Sequence, residues 1–110
     1  MDSFPLEDRE YARALDLSRR KQRGWVHEVE VPMREAESFD FATEHDGPGG
    51  RIEFNVHSHQ GAQVRYHIEE SEARLAGRFT APWEGKFYLM WENVSDVPVR
   101  VRIRATRQLG

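Results

Sequence analysis

From Val99 to Ala105 every second residue is apolar (Val99, Val101, Ile103, Ala105), and each residue between is arginine (Arg100, Arg102, Arg104). An extended chain puts all four apolar groups on one side, whereas a helix would scatter them round its axis. This stretch therefore predicts a strand with one oily and one ionic face, and such a strand needs neighbours and a second layer to cover it. The same period of two recurs upstream. Residues 25–31 turn Val29 and Val31 inward and Glu28 and Glu30 outward. Residues 38–43 turn Phe39 and Phe41 inward. Residues 51–58 place Ile52, Phe54 and Val56 on one face and Glu53, Asn55 and His57 on the other. Residues 63–69 place Val64, Tyr66 and Ile68 inward and Arg65 and His67 outward. A short strand at 77–81 carries Phe79. Residues 86–92 place Phe87, Leu89 and Trp91 inward, with Tyr88 and Met90 on the opposite face.

Turn signals separate these runs: Pro32, Asp46-Gly47-Pro48-Gly49-Gly50, Gln60-Gly61, Pro82-Trp83-Glu84-Gly85 and Asn93–Pro98. Seven or eight short strands at this spacing predict an all-β, antiparallel β-sandwich of the jelly-roll or GOLD-like kind. One-sided alternation fits antiparallel pairing. The acidic Glu28 and Glu30 and the basic Arg100, Arg102 and Arg104 suggest that the first and last of these strands are neighbours, with opposite charges facing across the ladder.

The segment before Gly24 reads differently. Ser3 is a candidate N-cap and Pro5 suits a first turn. Glu7, Asp8 and Glu10 lie at one end, and Arg19, Arg20, Lys21 and Arg23 at the other, an order that complements a helix dipole. A thin apolar stripe runs through Tyr11, Ala14 and Leu15. These signs predict a short N-terminal α-helix within residues 1–23, followed by a sandwich domain at 24–110. The helix would cover the Tyr88–Met90 face or join copies into an oligomer.

The chain of 110 residues suits one domain and contains no cysteine, which rules out disulfides and thiolate chemistry within it. The net charge of −3 argues against a general nucleic-acid binder. No apolar run reaches the ~20 residues of a membrane helix, and charged residues 7–10 interrupt any signal-like start. A cytoplasmic location is expected for the chain as it stands, or a secreted or periplasmic one if a targeting segment has been removed.

The segment Gly77–Asn93, with its aromatic-rich Lys86-Phe-Tyr-Leu-Met-Trp-Glu-Asn93 after Gly85, together with Val99-Arg-Val-Arg-Ile-Arg104, resembles the closing half of a GOLD (Golgi-dynamics) domain. Phe39-Asp-Phe41 and Arg51–His57 resemble its early strands. The resemblance covers roughly residues 25–106, and it implies a β-sandwich used for protein or lipid contact. A second resemblance is to the cupin barrels, on Gly50 followed by His57-Ser58-His59 and on Gly77, Pro82, Gly85 and Asn93. The usual glutamate is missing, and Tyr88 stands where a ligand histidine belongs.

Several groups could carry function. His57, His59 and His67 could hold Zn or Cu, with Glu69 or Tyr66 as a further ligand, since imidazole suits both metals. Clustered imidazoles also titrate near neutrality. Tyr88, Met90 and Trp83 could form an apolar contact patch, and the arginine row at 100, 102 and 104 could meet an acidic partner. No nucleophile–base set emerges: Ser58 lies between two histidines, but adjacent strand residues face opposite ways. The expected function is a non-catalytic interaction module that holds a protein or ligand through a sheet face or loops, with a metal-binding, cupin-like protein as the alternative.

Overall fold

The computed structural model describes residues 1–46 and 49–108, so Gly47 and Pro48 of the expected turn lie outside the described residues. Among the described residues nine strands form two sheets and no helix occurs. β1 (Asp2–Ser3), β3 (Val26–Met33), β8 (Gly85–Asn93), β5 (Ile52–Gln60) and β6 (Gln63–Glu70) make a five-stranded sheet in that spatial order. β2 (Glu10–Leu17), β9 (Val99–Gln108), β4 (Ser38–His45) and β7 (Arg74–Thr80) make a four-stranded sheet in that order. Every ladder is antiparallel except the short one between β1 and β3.

The two sheets close on one apolar layer, built by the alternating residues of the sequence. Val29, Val31, Phe54, Val56, Phe87 and Trp91 come from one sheet, and Phe39, Phe41, Phe79, Val101 and Ile103 from the other. Phe54 bridges the layers, its ring 5.1 Å from Phe41 and 5.2 Å from Trp91. Val101 is fully buried, as the arginine-interleaved pattern demands, and its outward neighbours Arg100 and Arg102 are exposed.

The expected N-terminal helix is absent, and strand pairing is the reason. Residues 10–17 lie antiparallel on β9 from Glu10↔Thr106 to Leu17↔Val99. Tyr11 and Leu17 point into the core, Leu15 is half-buried, and Ala12 and Ala14 face water. Ala, Arg and Leu favour helix by only a few tenths of a kcal/mol per residue, less than an eight-residue ladder and a buried Tyr and Leu return. Without a helix, nothing of that kind covers the Tyr88–Met90 face, and Tyr11 and Leu15 serve the core instead. The cations of residues 19–23 sit in a tight turn, where Lys21 adopts a left-handed φ of 65°.

The expected pairing of the first and last predicted strands also fails. β3, with Glu28 and Glu30, and β9, with the arginines, belong to different sheets. β9 lies between β4 and β2, and β2 is the segment that reads as helix. Pro32 does not end β3, which runs on to Met33. β1 covers only Val29 and Glu30, so the far edge at Pro32 needs no donor.

Candidate functional site

One β-bulge defines the outer face of the five-stranded sheet. β5 and β6 form a hairpin through Gly61, whose φ of +60° starts a two-residue turn that a side chain would strain. From the turn inward, His59 pairs Val64, Ser58 pairs Arg65 and His57 pairs Tyr66, but Val56 pairs Ile68. His67 is therefore the extra residue, and the slip reverses the faces on its turn-proximal side. Tyr66 and Val64, expected inside, are 52% and 44% exposed. His67, expected outside, turns inward, its ring 5.4 Å from Phe79 and 5.5 Å from Phe87.

The reversal splits the histidine set. His57 and His59 stay together on the outer face, ring centroids 5.2 Å apart, while His67 sits on the inner side, 2.9 Å from Ser58 Oγ through Nε2. Among the described residues no three His, Asp or Glu side chains group as metal ligands. The Ser58–His67 pair is not an exposed nucleophile, since Ser58 is 2% exposed under the aromatic core.

What the fold does assemble is a band across the outer face. Tyr66 (β6), His57 (β5), Tyr88 (β8) and Glu30 (β3) stand in one cross-strand row. His57 lies flat on Tyr88, centroids 5.3 Å apart and planes 16° apart, and His59 meets the same tyrosine edge-on at 5.0 Å. Tyr66 closes the other side of His57 at 5.9 Å. His57 is thus buried although it points away from the core. Its Nδ1 lies 2.7 Å from Asn55 Oδ1 and its Nε2 3.3 Å from a Glu28 carboxylate oxygen. Burial holds the His57 pKa below the usual imidazole value; Glu28 pulls it the other way without overcoming the loss of water.

The adjoining rows are acidic. Glu69, Asn55, Met90 and Glu28 form one, and Glu53 and Glu92 stand directly opposite each other in the next. A depression of about 560 Å³ is lined there by Tyr66, Asn55, Glu53, Glu69, Glu70 and Glu92. Burial, and then the charge of Glu53, push the Glu92 carboxyl above its ordinary range.

The other expected binding residues lie elsewhere. Tyr88 and Met90 belong to this face and are half-buried, but Trp83 sits at the sandwich edge, packed on Phe87 at 5.7 Å with Arg65 over its ring at 5.3 Å. Arg100, Arg102 and Arg104 project from the opposite sheet and are neutralised there. Arg100 meets Asp16 at 3.2 Å, Arg102 meets Glu44 and Asp46 at 2.9 and 3.0 Å, and Arg104 meets Glu10 at 3.3 Å. Asn55, Glu92 and Tyr66 as a surface group, which the alternation does not single out, are central to the site. An unbroken period of two hides them, because no turn residue announces the bulge.

No family model matches the sequence, and no curated protein is similar to it. Solved structures are similar in shape. The pre-peptidase C-terminal domain of a collagenase from Bacillus anthracis superposes with a TM-score of 0.71 at 14% identity, covering 96% of this chain and 93% of that one. The likeness is one of fold. CorA, a surface-associated copper-binding protein of Methylomicrobium album BG8, gives a TM-score of 0.69 at 8% identity, with 97% of each chain covered. PliG of Aeromonas hydrophila, a periplasmic inhibitor of g-type lysozyme, gives 0.67 at 11% identity, with 97% and 96% covered. These neighbours are neither GOLD domains nor cupins. They agree with a two-sheet sandwich in which the N-terminal segment is part of the fold.

Proposed function

We propose that the chain is a non-catalytic binding module and that the outer face of its five-stranded sheet holds a protein partner. The observation that carries this reading is the aromatic band itself. Tyr66 and His59 stand open to water, backed by Tyr88 and by a His57 already stripped of solvent. Rigid aromatic side chains supply contact area at low entropic cost, and pre-packed ones lower it further. The opposite face has a wider depression of about 810 Å³ lined by Ala12, Ala14, Ala42 and Ala76, but among the described residues it exposes no aromatic ring, and Arg100, Arg102 and Arg104 beside it are held by Asp16, Glu44, Asp46 and Glu10. The neighbouring structures support the reading in kind: a sandwich of this shape serves in PliG as an inhibitor of another protein. A secreted or periplasmic location accords with the periplasmic and surface-associated neighbours.

An immobilised array of random ten-residue peptides tests the proposal. Spots bound by the wild type should be lost with Tyr66→Ser combined with His59→Ser, two exposed positions whose change leaves the core intact. They should persist with Arg102→Ser combined with Arg104→Ser. The opposite pattern overturns the proposal.

A further inference from the structure

Among the described residues, the outer face of the five-stranded sheet carries Glu28, Glu30, Glu53, Glu69 and Glu92 against Lys86 and, at its end, Arg51. Two of these carboxylates are closely engaged. Glu30 holds Lys86 at 3.1 Å, and Glu28 faces His57. The other three gather around the depression beside Tyr66, where the nearest cation is Arg51, 3.9 Å from Glu53 and itself largely exposed. Glu53 and Glu92 are directly opposed across a ladder, a placement that destabilises a sheet unless something positive lies between them. The four-stranded sheet shows the contrast. Its outward carboxylates Glu10, Asp16, Asp40 and Glu44 each have an arginine within 3.5 Å. Among the described residues, Glu69 and Glu92 are left without an ion pair and Glu53 has only the long contact to Arg51, and this is the face with the exposed aromatic ring.

We infer that this face docks a basic protein segment, an extended stretch or loop that lays an arginine or lysine side chain on Tyr66 and sets its cation among Glu53, Glu69 and Glu92. The inference rests on the reading of this face as the binding surface and names the chemistry of what it binds. A guanidinium suits both halves of the site, since it stacks on an aromatic face and bonds carboxylates two at a time. A bare metal ion does not suit it, because the carboxylates do not converge to ligand geometry. Flanking residues of the segment would run along the aromatic band, over His57, His59 and Tyr88.

Calorimetric titration of the whole protein with the blocked octapeptide (Arg-Thr)4 tests this, with (Gln-Thr)4 and (Glu-Thr)4 as comparisons. At low ionic strength the arginine peptide should bind and the other two should not. Glu69→Gln with Glu92→Gln should weaken binding roughly three- to tenfold, the worth of two exposed ion pairs. The charge-matched control Asp16→Asn with Asp40→Asn, on the opposite sheet, should leave binding unchanged. Melting curves on each variant establish that it is folded. Equal loss in both double variants would mean general attraction to an acidic protein, and would remove the inference. So would failure of the arginine peptide to bind. A neutral peptide whose binding is lost with Tyr66→Ser and His59→Ser would remove the basic partner but leave the binding face standing. An arginine peptide lost only with the Asp16 and Asp40 changes would remove both.

Discussion

Asn93 is fully buried, and its carboxamide ties three segments together. Nδ2 donates to the carbonyls of Ser18 at 2.9 Å, Val97 at 2.8 Å and Leu17 at 3.4 Å, and Oδ1 accepts from Ser95 N at 3.0 Å and from the Ser95 hydroxyl. The end of β2 and the β8–β9 loop are thereby fixed to one side chain. Asn93→Ala leaves buried carbonyls without a donor and should lower stability by about 2–3 kcal/mol, read from urea denaturation. Titration acts at the same scale. Burial holds the pKa values of His27, His57 and His67 below the unfolded value. The unfolded chain then takes up protons first, so stability is kept above pH about 6.5 and lost as pH falls from there through each folded pKa. A melting temperature that drops between pH 7 and pH 5, and drops less in His57→Gln, is the expected result. Glu92 has the opposite sign, because its carboxyl is raised in the fold. Its charge destabilises the native state as pH rises above the carboxylate range. Glu92→Gln should therefore raise the melting temperature at pH 7 and change it little at pH 4.

At the scale of elements, β3, β4, β5, β8 and β9 were legible because each carries several apolar residues in alternation, whereas β7, expected at 77–81 on Phe79 alone, runs from Arg74 to Thr80, and β6 was placed as a strand but with its faces reversed. Val99, Val101 and Ile103 alone determine which side of β9 is buried. β2 was not legible. Tyr11, Leu15 and Leu17 also keep a period of two, but the fourth inward position is Arg13, which lies over the Tyr11 ring at 4.3 Å and reaches Asp2 at 3.3 Å. That cation broke the pattern the eye needs, and the alanines favoured helix. A charged residue pointing inward on an edge strand is also a means of discouraging a further strand from pairing there. Ala14 tests the assignment, because it is exposed on β2 and paired with Arg102. Ala14→Thr should stabilise the protein by a few tenths to ~1 kcal/mol in a strand, whereas in a helix it would cost about 0.5 kcal/mol. Thermal unfolding of the variant decides the sign. The bulge at His67 was hidden for a different reason. A bulge is a property of how two strands pair, and neither strand alone records it. One extra residue moved Tyr66 to the surface and His67 to the core, and with them most of the candidate site.

For the whole molecule, the two outer faces differ in kind although both are rich in charge. The four-stranded sheet binds its arginines to its own carboxylates and presents an internally balanced surface. The five-stranded sheet presents the exposed Tyr66 ring beside Glu69 and Glu92, which have no ion pair among the described residues, and Glu53, whose partner Arg51 stands 3.9 Å away. The charge balance of −3 conceals this asymmetry, since it sums over both faces. The chemistry of each face was visible as residue types in the sequence, but which residues share a face depended on sheet order. A backbone amide shift map of the whole protein, titrated with the (Arg-Thr)4 peptide, separates the faces most directly. The amides of Asn55, Tyr66, Glu69 and Glu92 should move while those of Arg100, Arg102 and Arg104 stay still; movement confined to the arginine strand, with Tyr66 and Glu92 unchanged, would contradict the account.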